Sequence, residues 1–164
     1  MQTISEVKKP TPGQIIAKYQ SNAPVDVVAI ANDLGINVWE SAKMSPDVSG
    51  KLFLDPVNGG QSGFSMVVRK SDSLARKRFT IAHETAHFIL HRALFKAGSD
   101  FAMHRGGKSG REETQANGLA AEILMPYTLI QRLIREGNRT PESLALRLGV
   151  SKAAIGVRLG ILNI

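Results

Sequence analysis

Phe79-Thr80-Ile81-Ala82-His83-Glu84-Thr85-Ala86-His87-Phe88-Ile89-Leu90-His91 is the stretch on which the rest of the chain turns. It sets two histidines four residues apart with a glutamate directly after the first, an H-E-x-x-H pattern. Four residues is just over one helical turn, so both imidazoles stand on one helix face and can address a single metal ion. Glu84 is rotated about 100° from His83, which directs it at a water beside the metal rather than at the metal itself. Phe79, Ile81, Phe88, Ile89 and Leu90 make the surroundings apolar, and buried ionisable groups are normally paired or coordinated.

Such a site takes three protein ligands and leaves a fourth position open. His91 continues the four-residue step but stands about 12 Å along the axis from His83, too far for one ion to hold all three. It is expected to support a ligand or the helix itself. A third ligand must come from another element, and Asp100, His104, Glu112, Glu113 and Glu122 are the candidates. Glu113 has the best supporting pattern. Its helix face continues through Ala116, Asn117, Ala120 and Leu124, so small residues let this helix approach the metal helix, and Asn117 is placed to hydrogen-bond a ligand histidine. Glu122 lies roughly opposite Glu113 on the helical wheel.

Working outward, Thr11-Pro12 opens a first helix, and a second follows Pro24 with Val25, Val28, Ala29, Ala31 and Leu34 as its apolar stripe and Gly35 as its stop. Asp26 reads as a helix start and Trp39 as a core residue. Three strand-like pieces, Ile36 to Trp39, Ser49 to Leu54 and Phe64 to Val68, predict a small antiparallel sheet. A long helix spans Ser73 to about His91, and a glycine-bearing loop, read as a mobile rim beside the metal site, runs to Gly110. A further helix ends at Met125-Pro126. Short helices over Tyr127 to Glu136, Pro141 to Leu148 and Ser151 to Leu159 close the chain. The expected division is a domain over 1–126 and a small helical subdomain over 127–164.

Length and composition are consistent with this. The 164 residues, 43% hydrophobic and 21% charged, suit one globular domain with a small appendage, not a disordered chain. Cysteine is absent, which excludes disulfides, thiolate nucleophiles and cysteine-ligated zinc. No membrane-length apolar run or signal-peptide pattern is present, so a cytoplasmic protein with no membrane association is expected. The +7 net charge makes an acidic partner or nucleic acid worth weighing against an ordinary solvated basic surface. Arg69, Lys70, Arg76, Lys77 and Arg78 form the densest cluster; Arg105, Lys108 and Arg111 form another.

Two weaker patterns stand beside it. Leu144 to Ile155, with Ala145 and Gly149, suits two helices meeting at a tight turn, as in a helix-turn-helix. Its second helix offers Ser151, Lys152 and Arg158 but no Asn or Gln before Asn163, so packing or partner docking is favoured over DNA reading. Gly106-Gly107-Lys108-Ser109-Gly110 fails as a phosphate loop, because Ala102 stands where the earlier glycine belongs and no strand precedes it.

Arg78 to Phe88, followed by Glu113-Thr114-Gln115-Ala116-Asn117-Gly118-Leu119-Ala120-Ala121-Glu122-Ile123-Leu124-Met125-Pro126, resembles the ImmA/IrrE family of zinc metallopeptidases. Pro24-Val25-Asp26-Val27, Leu34-Gly35-Ile36 and Val48-Ser49-Gly50-Lys51-Leu52 fit as well, so the resemblance covers most of the chain. Leu119 departs from the phenylalanine often found there, a change that leaves the ligands untouched. The resemblance implies an α+β zincin-like fold, with zinc held by His83, His87 and Glu113 and with Glu84 as the general base. It further implies site-specific cleavage of a partner, typically a helix-turn-helix repressor of the phage-repressor type or an antitoxin-like protein. Manganese and iron suit the same ligand set. Oxyanion stabilisation falls to His104, Tyr127 or the basic cluster near Arg78. The competing reading is a toxin–antitoxin component or transcription regulator that grips its partner or DNA without proteolysis, zinc being structural.

Overall fold

The computed structural model describes residues 7–95 and 110–164. Helix α1 (Pro12–Tyr19) starts at Thr11, whose hydroxyl accepts from the Gln14 amide while the Gln14 side chain accepts from the Thr11 amide. Helix α2 (Val27–Asp33) starts at Asp26 as expected, its carboxylate accepting from Ala29 N at 2.9 Å. The buried stripe of this segment is Val25, Val27, Ile30 and Ala31, whereas Val28 is exposed. Because the helix begins only at Val27, the inward face is displaced from the one read in the sequence.

Strands β1 (Ile36–Ser41), β2 (Gly50–Leu54) and β3 (Phe64–Arg69) form one sheet in the order β1-β3-β2. The sheet is mixed, not antiparallel: β2 and β3 are antiparallel, while β1 and β3 run parallel from Ile36 beside Phe64 to Ser41 beside Arg69. Local packing explains the parallel pair. Ser62 N donates to Gly35 O, and a Cβ on Gly60 would collide with that same carbonyl, so the starts of β1 and β3 are held side by side.

Register puts Ile36, Val38, Leu52, Leu54, Phe64, Met66 and Val68 on one face, and the core residues Ile36, Leu52, Met66 and Val68 among them are buried. Trp39, Lys51, Phe53, Ser65 and Val67 share the other face. Trp39 is therefore not a core residue: it is 48% exposed, on an edge strand, with its indole N–H donating to Ser65 Oγ. A sheet covered by helices on one side only leaves such a side chain at the surface.

Helix α3 (Leu74–His91) packs across β2 and β3 and, most extensively, against α4 (Gly110–Leu124). Ser73 caps α3, its hydroxyl accepting from Arg76 N at 3.2 Å. Ser73→Ala is expected to lower stability by about 1 kcal/mol, read as a shifted urea midpoint. A short 3-10 turn, Arg92–Leu94, follows α3. Helices α5 (Tyr127–Arg135), α6 (Pro141–Leu148) and α7 (Lys152–Leu162) complete the described chain.

The α6–α7 turn passes through Gly149 in the left-handed region, φ 63°. Two arginines fasten this tail to the rest. Arg78 donates to Gly149 O at 3.0 Å and to Leu148 O at 3.3 Å, and Arg158 donates to Met125 O at 3.0 Å. Arg158, one of the few residues of α7 suited to reading DNA, is thus buried. Most of the 69–78 basic cluster makes contacts within the chain, with Arg76 largely exposed. Arg69 pairs with Asp72, Arg76 donates to Ser49 Oγ and Lys77 pairs with Glu40. No helix among the described residues is long and apolar enough to cross a membrane.

Candidate metal centre

The middle of α3 is buried on nearly every side: Thr80 through Phe88 are all below a tenth exposed. Ala82 and Ala86 on α3, with Ala116 and Ala120 on α4, are wholly buried, and these small residues allow the helices to approach closely. That approach brings Glu113 to the two histidines. His87 Nε2 stands 3.1 Å from His83 Nε2 and 3.1 Å from Glu113 Oε1, and His83 Nε2 stands 3.4 Å from Glu113 Oε2. Ligands about 2.0–2.1 Å from an ion at tetrahedral angles lie about 3.3 Å from one another. The two imidazole nitrogens and the two oxygens of the Glu113 carboxylate are therefore gathered at about the spacing of ligands around one tetrahedral ion. Among the described residues they form a group able to hold a metal.

The electrostatics favour the ligand form of His87. Burial, and then the neighbouring His83, lower its pKa from 6.5 to about 3, against the opposing pull of Glu113. A neutral imidazole keeps a lone pair for a metal. The same shift predicts an acid weakness in metal-free protein. The unfolded chain takes up this proton near pH 6.5 but the folded chain only near 3, so stability is lost as pH falls through that window. Chelator-treated protein should show a lower urea midpoint at pH 5 than at pH 7, and an equal or higher midpoint would contradict a neutral His87.

Behind the donors runs a second set of contacts. His87 Nδ1 stands 3.0 Å from His91 Nδ1, and His91 Nε2 stands 3.0 Å from Gln115 Oε1 on α4. His91 is buried and stands against His87. Gln115 carries no comparable signal in the sequence. A helical wheel turns it about 200° from Glu113, so spacing gave no reason to place both on α3.

In front of the donors opens a cleft of about 590 Å³, lined by His83, Glu113 and Asn117, by Phe79, Thr80 and Arg76 of α3, and by Val150, Ser151 and Ala154 of the tail. Asp47 and Ser49, just before β2, complete its rim. Glu84 is buried, 1% exposed, in the turn that joins the two histidines. Asn117 is exposed in the cleft rather than bonded to His83 or His87, and it is Gln115 that contacts the histidine row, at His91.

Other sequence candidates lie elsewhere. The Arg78 guanidinium is committed to the carbonyls at 148 and 149, and Arg78 does not line the cleft. Tyr127 begins α5, where its hydroxyl accepts from Gln131, and it borders a separate cleft with Gln20, Glu122 and Arg158. Glu122 is thus apart from the donors, as the helical wheel indicated. Asp100 and His104, the 105–108 basic residues and most of the glycine-bearing loop fall outside the described residues.

An H-E-x-x-H helix packed on a small sheet, with a carboxylate delivered by the following helix, defines a zincin-like α+β protein. The chain belongs to the peptidase family described as IrrE N-terminal-like domain, whose profile matches residues 31–160. No curated protein sequence matches it significantly. Among solved structures, a Mycobacterium tuberculosis transcriptional regulator is similar at 16% identity and a TM-score of 0.55, over 81% of this chain and 39% of that one. The likeness is one of fold, and the present chain spans well under half the length of that regulator.

Proposed function

We propose that the protein is a zinc-dependent, site-specific endopeptidase that cleaves a helix-turn-helix repressor or antitoxin-like partner. The observation that carries this reading is the convergence of His83, His87 and Glu113 at tetrahedral spacing beside an open cleft, with Glu84 on the same helix. Bound zinc would supply Lewis acidity, lowering the pKa of a water toward neutrality and polarising the scissile carbonyl. His83 and His87 would hold it through Nε2 and Glu113 through its carboxylate. Glu84 takes a proton from the attacking water onto its carboxylate and returns it to the nitrogen of the leaving amine. Phe79, Val150 and Ala154 give the cleft an apolar wall for a substrate side chain, and Arg76 and Ser151 give it polar contacts.

The test is incubation of zinc-loaded protein with the repressor-like protein encoded beside it, followed by intact-mass measurement. A pair of fragments whose masses sum to the partner plus one water supports the reading and names the bond. An intact partner that co-purifies supports the alternative, partner binding without hydrolysis. The tail's paired helices and the similarity to a transcriptional regulator favour keeping that alternative in the test. Addition of DNA to both reactions separates nucleic acid as an activator from nucleic acid as a bystander, because phosphate contacts weaken steeply with salt.

A further inference from the structure

We propose that Arg76 determines specificity in the cleft by taking an Asp or Glu side chain of the substrate about two to four residues from the bond to be cut. The proposal rests on the peptidase reading and deepens it by naming a feature of the substrate. Arg76, Thr80 and His83 follow one another at steps of four and three residues, so they share a face of α3, and all three line the cleft. Seven residues of helix set Arg76 about 10 Å along the axis from His83. An extended peptide advances about 3.3 Å per residue and so covers that distance in about three residues. Between the two, the Phe79 ring stacks on the His83 ring with centroids 6.2 Å apart, which keeps the intervening stretch apolar.

The guanidinium is anchored along one edge only. Arg76 Nε donates to Ser49 Oγ at 3.0 Å, and the same hydroxyl accepts from Arg69 Nη2 at 3.2 Å. Arg69 is fixed in turn by Asp72 at 2.9 Å, whose other oxygen stands 3.7 Å from Arg76 Nε. Among the described residues no hydrogen bond or ion pair reaches Arg76 Nη1 or Nη2, and the side chain is 64% exposed. Those two nitrogens form the fork that takes a carboxylate through a pair of hydrogen bonds. A fork already held at Nε has less rotamer freedom to lose on binding. Among the described residues, Asp47 is the other charged side chain that lines the cleft away from the metal donors, and it makes no ion pair with Arg76. A lysine or arginine of the substrate at this point would meet a like charge, so Arg76 also selects against basic residues there.

The test is digestion of a random dodecapeptide library by the zinc-loaded full-length protein, with the cut ends sequenced by tandem mass spectrometry. Asp and Glu should be enriched at that distance from the cut, on one side of it. The enrichment should vanish in Arg76→Gln and give way to Lys and Arg in Arg76→Glu. For one acid-bearing peptide of the set, Arg76→Gln should raise KM about 10-fold with kcat unchanged, because Arg76 is remote from the reacting atoms. The same peptide with its acid replaced by the matching amide should be cut equally by both proteins. The cap at Arg76 N and the bond from Thr80 Oγ1 to Arg76 O use only the backbone and survive these changes, and melting temperature checks each variant. Cleavage without an acid preference, or a preference that Arg76→Gln retains, overturns the proposal and leaves the peptidase reading standing. If no peptide is cut, the peptidase reading fails, and capture of the same library on the immobilised protein decides. Acidic peptides retained by the wild type and lost in Arg76→Gln then support Arg76; equal retention by both, or none, overturns it.

Discussion

Glu84→Gln is expected to abolish cleavage of the partner, lowering the rate by roughly 10²–10⁴-fold, while leaving metal and partner binding near wild type. Glutamine fills almost the same volume, and α3 is packed so tightly at this point that a smaller residue would leave a cavity. It removes only the ability to take and return a proton. Stability should change little, because the exchange preserves volume inside a closely packed helix. Parallel measurements of cleavage by intact mass, Co²⁺ absorption and melting temperature separate these effects. Wild-type cleavage by the variant would remove Glu84 from the chemistry. Loss of metal together with loss of cleavage would make it a structural residue.

Gly149→Ala should be strongly damaging to the tail. Gly149 sits at φ 63°, a conformation that costs an L-residue roughly 1–2 kcal/mol. Its new Cβ would also lie 2.8 Å from Arg78 Nε and 3.3 Å from Pro24 Cβ. The guanidinium would have to withdraw from the carbonyls of Leu148 and Gly149, which it now satisfies from a partly buried position. Together these losses amount to about 2–4 kcal/mol, a fall in Tm of roughly 5–15 °C. The effect should reach the metal cleft, since Val150, Ser151 and Ala154 form one wall of it. A variant with unchanged Tm would show that Arg78 and the tail do not depend on each other.

Much of the candidate site was legible because helical periodicity is strict. Once His83 and His87 are four apart, their shared face follows from 3.6 residues per turn, and the Ala116–Ala120 spacing marks the helix that can approach them. The capping glycine and proline residues bound the helices for the same local reason. Periodicity also placed His91 beside its neighbour one turn earlier.

The misreadings share a different cause. Strand direction, the exposure of Trp39 and the inward face of α2 depend on what lies across the sheet or after the turn, and a single strand's pattern carries none of this. Gln115 is not legible in the sequence, because its partner, His91, comes from another element at a distance no spacing rule spans. Arg78 and Tyr127 were candidates by charge and chemistry alone. Only packing shows that Arg78 caps α6 and that Tyr127 borders a separate cleft.

Local order along the chain thus determined the metal-binding chemistry: which residue types stand on one face of α3, which helix follows and where each helix stops. Tertiary structure alone decided how β1 pairs with β3, that Gln115 reaches His91, and that the C-terminal tail walls the cleft. Those outcomes depend on contacts between residues 24 to 71 positions apart, whose geometry is settled by close packing rather than by any repeat in the sequence.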